Sequence, residues 1–183
     1  MEEAVEEVEQ PAAASAASAG GRAAQRAIII SGWPCVGKSW LINRGAMEGY
    51  AILDLDSSRY SFLADGRRNP RFEEDYIAAI LRRVGDEVIL MVSAHRQVRQ
   101  RLADLGLWFA LVMPRRELRE VWLQRMVSRG TADMVPFFRD NWDTLVAGCV
   151  AQQGCDIVYL GSAQYLENVI LNIVTKFKPP AAY

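Results

Sequence analysis

The chain has 183 residues, 51% of them hydrophobic, and a formal net charge of -1. This length and composition predict one globular domain with its own core and exclude a fully disordered chain. No apolar run reaches the roughly 18 residues that span a bilayer, and three cysteines without metal-ligand spacing favour a reducing, cytoplasmic setting over a disulfide scaffold.

An acidic extension precedes the first predicted element. Residues 1–26 contain five glutamates and a run of alanine and serine, a composition that predicts disorder. Early positive charge, which marks targeting segments, is missing from this stretch. We therefore expect residues 27–183 to form the folded domain, in the cytoplasm, or in the host cytoplasm if the source is viral.

The first predicted strand, residues 27–31, leads into a short segment that matches the phosphate-binding P-loop pattern G-x-x-x-x-G-K-[ST]. In this pattern glycines admit phosphate oxygens to the backbone N–H groups, Lys38 reaches the terminal phosphates, and the Ser39 hydroxyl can ligand Mg²⁺. The strand, loop and following helix predict that a nucleotide contacts the segment Gly32, Trp33, Pro34, Cys35, Val36, Gly37, Lys38, Ser39 and Trp40.

Strands and helices alternate along the rest of the chain. Strands are predicted at 51–56, 88–92, 108–113 and 156–160, and helices at 72–84, 97–104, 117–129, 136–149 and 163–177. This alternation predicts a five-stranded parallel sheet with helices on both faces. The expected architecture is an α/β, three-layer P-loop fold that binds nucleoside triphosphates, with a small helical lid. Its ligands would lie beyond the carboxyl ends of the strands.

Two acids, Asp54 and Asp56, end the second predicted strand, whereas the third ends in Ser93 and lacks the acid that many ATPases place there. The pair resembles the strand-end acids of small-molecule kinases such as shikimate and gluconate kinases. We assign Asp54 mainly to Mg²⁺ and Asp56 to the acceptor, whose hydroxyl proton it can accept. The two roles could be exchanged, and a solvated turn is the alternative.

Mobile cations are needed where phosphoryl transfer spreads negative charge. Arg125 and Arg129 stand four residues apart, so they project from one face of the helix predicted at 117–129. We expect them to close over the transferred group. Arg116 and Arg119 are weaker candidates, and a solvated helix face is the alternative for each arginine.

The acceptor side of the site is predicted from residues near strand ends and in the loop before the helix predicted at 72–84. Ser93 and His95, the only histidine, follow the third strand, while Arg67, Arg68 and Asn69 lie in a loop that could equally face solvent. The candidate acceptor-binding residues are Asp56, Ser57, Arg68, Ser93, His95 and Arg99.

These segments together resemble a family of small P-loop kinases common in bacteriophages, within the nucleoside monophosphate and shikimate kinase-like superfamily. The family includes kinases that phosphorylate 5-hydroxymethyluracil in DNA. The resemblance covers roughly residues 27–145 and rests on the P-loop, residues 54–58, Arg68-Asn69-Pro70 with Tyr76-Ile77, residues 92–95 with 98–99, Arg125 with Arg129-Gly130, and Trp142-Asp143. It implies that residues 161–166 receive the adenine.

The leading hypothesis is a Mg²⁺-dependent kinase that moves the γ-phosphoryl group of ATP to a hydroxyl or phosphate of a nucleotide or of a modified base in DNA. A DNA acceptor would need a basic groove, for which the near-neutral charge gives little support. A kinase of another small molecule, and a nucleotide-dependent switch with slow hydrolysis, remain alternatives. We expect ATP and an acceptor as partners, no membrane, and a monomer or weak dimer.

Overall fold

The computed structural model describes residues 25–177, which fold around one six-stranded sheet. The strands are β1 (Ile28–Gly32), β2 (Ala46–Met47), β3 (Tyr50–Asp54), β4 (Val88–Ser93), β5 (Phe109–Pro114) and β6 (Asp156–Leu160). Their order across the sheet is β2-β3-β4-β1-β5-β6. Five strands run parallel, and β2 pairs with β3 in the antiparallel direction.

The prediction of five strands is corrected by the short edge strand β2. It forms a hairpin with β3 through a two-residue turn in which Glu48 (φ 50°) and Gly49 (φ 83°) both have positive φ. Such turns match the twist of paired strands. Two residues are too few to give a periodic hydrophobic signal, which is why the pattern along the sequence missed this strand.

Seven helices flank the sheet in the described part of the chain. They are α1 (Lys38–Arg44), α2 (Ser58–Ser61), α3 (Phe72–Leu81), α4 (Arg96–Asp104), α5 (Arg119–Ser128), α6 (Val135–Val150) and α7 (Ile170–Lys176). Short 3₁₀ helices lie at Arg116–Leu118, Ala132–Met134 and Leu166–Asn168. The long helix predicted at 163–177 is therefore two shorter pieces, and α2 was not predicted. No helix within residues 25–177 combines the length and apolarity that crossing a membrane requires.

The centre of the sheet explains why the predicted strands read as continuous apolar runs. Every residue of β1 and β5 is buried, as is β4 up to its last residue. Parallel strands covered on both faces have no polar side to alternate with. Gly32 lies opposite Ser93 on one side and opposite Val112 on the other, so the carboxyl ends of the three central strands share one rim.

Two described residues before the boundary predicted at residue 27 also contact the fold. Gln25 is buried, and its amide nitrogen donates to the carbonyl oxygens of Ala27 (2.9 Å) and Trp108 (2.7 Å). The backbone N–H of Arg26 donates to Val84 O at 2.8 Å. The acidic extension predicted to be disordered lies, apart from these two residues, outside the described residues.

Candidate functional site

The site is built around the loop of residues 32–39, called here the glycine-rich loop, which leaves the central strand β1. Gly37 adopts a φ of 100°, and a Cβ on Gly32 would lie 3.0 Å from Cγ2 of Val36 and 3.2 Å from Cδ of Lys38. Because glycine has no Cβ, it can adopt the positive φ at residue 37 and allow the close approach at residue 32. Cys35 has a φ of 62° without that freedom, a conformation that costs about 1–3 kcal/mol. The loop therefore holds a defined, strained shape.

Buried contacts fix the first half of the glycine-rich loop. The Trp33 indole N–H donates to Cys149 Sγ at 3.1 Å, and its ring meets that of Trp142 edge-on at 5.3 Å. Trp122 Nε1 donates to Pro34 O at 3.0 Å, and Val36 O accepts from Leu166 N at 2.7 Å. Trp33 thus anchors the loop in the core and presents no free face to a ligand.

Trp40, the last residue of the predicted nucleotide-binding segment, is exposed on α1. The guanidinium of Arg44 lies over its ring, 5.1 Å from the ring centroid. Such a cation–π pair is typical of a solvated helix surface. The helix begins at Lys38, so Trp40 points away from the buried anchors of the loop.

Lys38 is folded back onto the start of the glycine-rich loop. Its ammonium donates to Gly32 O at 2.6 Å and to Trp33 O at 3.4 Å. Burial lowers the pKa of Lys38 to about 8, while the negative charge of Asp54 opposes this shift and the guanidinium of Arg129 adds to it. The ammonium is charged at neutral pH. Its hydrogen bonds go to two backbone carbonyl oxygens of the loop, whose place the oxygens of an anion could take.

The two strand-end acids, Asp54 and Asp56, lie in different environments. Partial burial and then the charge of Asp56 raise the pKa of Asp54. Asp56 accepts hydrogen bonds from the Ser58 hydroxyl (2.7 Å) and the Ser58 N–H (3.0 Å), and these bonds lower its pKa. These bonds favour the ionised form of Asp56 and fix its orientation. The Asp54 carboxylate accepts no hydrogen bond from another side chain or backbone N–H within residues 25–177.

Arg125 and Arg129 project from α5 but reach different parts of the site. Arg129 Nη2 donates to Ser39 Oγ at 3.0 Å, across the mouth of the glycine-rich loop. The guanidinium of Arg125 lies between the rings of Trp122 (4.2 Å) and Tyr165 (4.0 Å). It also donates to the carbonyl oxygens of residues 162 (2.9 Å) and 164 (3.1 Å). Arg129 thus faces the loop serine, and Arg125 faces the segment after β6.

A cavity of about 480 Å³ opens between α5, the glycine-rich loop and the segment after β6. This volume is in the range of small-molecule sites. One wall comes from the loop and the opposite wall from α5, and the lining includes Cys35, Gly37, Ser39, Gln124, Arg125, Ser128, Arg129 and Tyr165. Arginines on one side and loop backbone on the other make the cavity suited to an anion with a planar group attached.

Ser93 and His95 contact each other at the end of β4, and Arg68 lies in the loop before α3. His95 Nδ1 lies 2.9 Å from Ser93 Oγ, and its ring meets Phe72 edge-on at 5.3 Å. Burial first, and then the charges of Lys38 and Arg68, lower the pKa of His95. The guanidinium of Arg68 lies over the Phe62 ring at 4.9 Å. Ser57 follows Asp56, and its carbonyl accepts from Ser61 Oγ.

Arg99 is the one buried side chain among the predicted acceptor residues. Its side chain is buried, with Nε donating to Ala94 O (3.1 Å) and Nη1 to Gly148 O and Gln152 Oε1 (3.3 Å each). The guanidinium therefore joins α4 to the end of α6. The weaker candidates are engaged as well, Arg116 by Asp143 and Arg119 by Glu120.

Two tyrosines that were not among the individually predicted site residues lie at the site. Tyr76 bonds to the backbone at the ends of β3 and β4, and Tyr165 stacks on Arg125. Tyr165 lies within the segment predicted to face a base, so a signal existed for it. Tyr76 sits at an apolar helical position, where only its hydroxyl distinguishes it from a core phenylalanine.

The chain was compared with known protein families and with curated proteins. No family model matches it, and none of the curated proteins matches it.

Proposed function

We propose that this protein is a P-loop kinase that moves the γ-phosphoryl group of ATP to a hydroxyl or phosphate of a nucleotide or nucleic acid. One observation carries the proposal: Lys38, Asp54, Asp56 and Arg129 converge on the glycine-rich loop at the rim where β1, β3 and β4 end. Cations for phosphates and a carboxylate for an acceptor are what phosphoryl transfer needs. The resemblance to phage kinases agrees with this assignment.

The donor side follows from the loop and α5. Lys38 would exchange the carbonyl oxygens of Gly32 and Trp33 for phosphate oxygens, and Arg129 would release the Ser39 hydroxyl to contact the same phosphates. The base would lie in the cavity beside Tyr165, where the guanidinium of Arg125 offers a flat cationic surface. Arg125 then belongs to the base-binding wall, and Arg129 takes the catalytic role.

The roles of the two acids follow from their environments. The charge of Asp54 acts more strongly on Lys38 than that of Asp56, and Asp56 is already bonded by Ser58, so we assign Asp54 to the phosphate side. Within residues 25–177 no three His, Cys, Asp or Glu side chains form a ready metal site. Ser39 and Asp54 would hold Mg²⁺ together with phosphate and water oxygens, and the ion would neutralise phosphate charge. Asp56 would orient the acceptor hydroxyl.

The direct test is phosphate transfer from labelled ATP and Mg²⁺ to a panel of nucleosides, nucleotides and normal or hydroxymethylated DNA. Lys38→Met should abolish transfer, since the ammonium on the transferred group is lost while the fold is kept. Lys176→Met is the matched control, because Lys176 is exposed and pairs only with Asp156. Turnover retained in Lys38→Met would contradict the mechanism. Slow hydrolysis that no acceptor changes would favour the switch alternative.

A further inference from the structure

The hydrogen-bond ladder between β3 and β4 is interrupted at the edge of the site. The strands pair in register up to Asp54 opposite Met91, and Leu55 N–H still donates to Met91 O at 3.0 Å. In a parallel ladder the next bond would run from Ser93 N–H to Leu55 O. The Tyr76 hydroxyl occupies that place, accepting from Ser93 N–H at 3.0 Å and donating to Leu55 O at 2.5 Å.

The position of the Tyr76 hydroxyl is set by the packing of its ring. Tyr76 lies on α3 and is fully buried. Phe72 stacks against its ring at 5.6 Å, and Tyr60 meets it edge-on at 5.2 Å. Burial raises the pKa of Tyr76 to about 12, so the hydroxyl keeps its proton and remains a donor. The ring therefore presents a permanent O–H between two strand ends.

The two backbone groups that Tyr76 joins belong to residues beside the proposed acceptor groups. Leu55 lies between Asp54 and Asp56, and Ser93 bonds to His95. One hydroxyl oxygen inserted into the ladder spreads these strand ends apart while still tying them together. The space so created separates the acid-bearing end of β3 from the Ser93 and His95 end of β4.

We propose that Tyr76 is a positioning residue that sets the width of the acceptor cleft by holding the ends of β3 and β4 one hydroxyl apart. The inference rests on the proposed kinase function for its catalytic meaning. The donor phosphates would lie at the glycine-rich loop and α5, where only Asp54 would reach them from the end of β3. Tyr76 should therefore influence the acceptor much more than ATP.

The test is Tyr76→Phe, which removes the oxygen alone. We expect the acceptor kcat/KM to fall on the order of 100-fold, as misplacement of about 1 Å can cost, with the ATP dissociation constant within about twofold of wild type. Tyr60→Phe is the matched control: it makes the same change in the adjoining ring, whose hydroxyl has no hydrogen bond to the described residues. It should leave both quantities unchanged.

A second measurement does not depend on catalysis. Tyr76→Phe removes the oxygen that accepts from the Ser93 amide, so hydrogen exchange at this amide should accelerate at least about tenfold. Unchanged Ser93 exchange, or equal losses in ATP binding and acceptor use, would overturn the proposal. If wild-type protein transfers phosphate to no acceptor, the kinase proposal fails by itself, and the exchange result still decides whether Tyr76 holds the strand ends.

Discussion

Lys38 links the environment of one residue to a measurable pH dependence. Its pKa is lowered to about 8 by burial, whereas phosphates bound beside it would favour the charged ammonium. Binding should therefore take up a proton above pH 8. We expect the ATP affinity to be constant below pH 7.5 and to fall by up to about tenfold per pH unit above pH 8. Fluorescence titration between pH 7 and pH 9.5 measures this profile.

Lys38→Arg separates this effect from other titrations. Arginine keeps its charge throughout the range, so the variant should bind ATP with little change above pH 8, even if more weakly. Calorimetry in buffers of different ionisation enthalpy counts the protons taken up. A flat profile for the wild-type protein would show that the ammonium does not titrate near pH 8.

The glycine-rich loop and Trp33 show which features of single residues the motif predicted and which it did not. The glycine-rich loop was predictable because its residues are consecutive, and the positive φ of Gly37 and the close approach at Gly32 follow from local backbone geometry. Trp33 was harder to predict. Nothing local tells whether an indole faces a ligand or the core, and here the position of α6 places it against Cys149 and Trp142.

At the scale of elements, the side of α4 on which Arg99 lies determines what its guanidinium contacts. Its guanidinium joins α4 to the carboxyl end of α6 through three oxygens, including the Gly148 carbonyl. Arg99→Met should lower the free energy of unfolding by about 1.5–3 kcal/mol, since partly buried oxygens lose hydrogen bonds from a charged donor. Phosphate transfer per folded molecule should stay at the wild-type level. Urea denaturation and the transfer assay measure the two effects.

Arg101→Met is the control for this prediction. Arg101 is exposed on the same helix, and its loss should change the free energy of unfolding by no more than about 0.5 kcal/mol. A stable Arg99→Met protein with weakened acceptor binding would instead support the acceptor role predicted for Arg99 from the sequence.

Most elements were predictable because they follow simple periodicities. The strands at β4 and β5 are unbroken apolar runs, and α6 carries its buried residues at helical spacing. The elements that were not predicted are short. The hairpin strand β2 and the one-turn helix α2 contain too few residues for a period to show, and the predicted last helix breaks at Val169, between its 3₁₀ turn and α7.

At the scale of the whole molecule, Gln25 ties the start of β1 to the start of β5. Its amide nitrogen donates to Trp108 O, and its amide oxygen accepts from Trp108 N at 2.8 Å. Gln25→Ala would leave both of these partly buried backbone groups without their partner. We expect the free energy of unfolding to fall by about 1–3 kcal/mol, measured by urea denaturation of the full chain.

The exposed Gln153 provides the comparison. Its amide bonds only to a neighbouring carbonyl, so Gln153→Ala should leave stability within about 0.5 kcal/mol of wild type. Equal stability of the two variants would show that the contact between Gln25 and Trp108 contributes little to the fold.

The sequence by itself determined the chain order of the five parallel strands and of the longer helices, and the glycine-rich loop, because apolar periodicity and consecutive motif residues act over a few neighbours. It also placed the two acids at a strand end. Only the tertiary structure decided that Arg129 faces Ser39, that the Arg99 guanidinium bonds to Ala94, Gly148 and Gln152, and that the Tyr76 hydroxyl enters the ladder between β3 and β4. These outcomes depend on the rotation of helices and the spacing of strand ends, which distant parts of the chain set together.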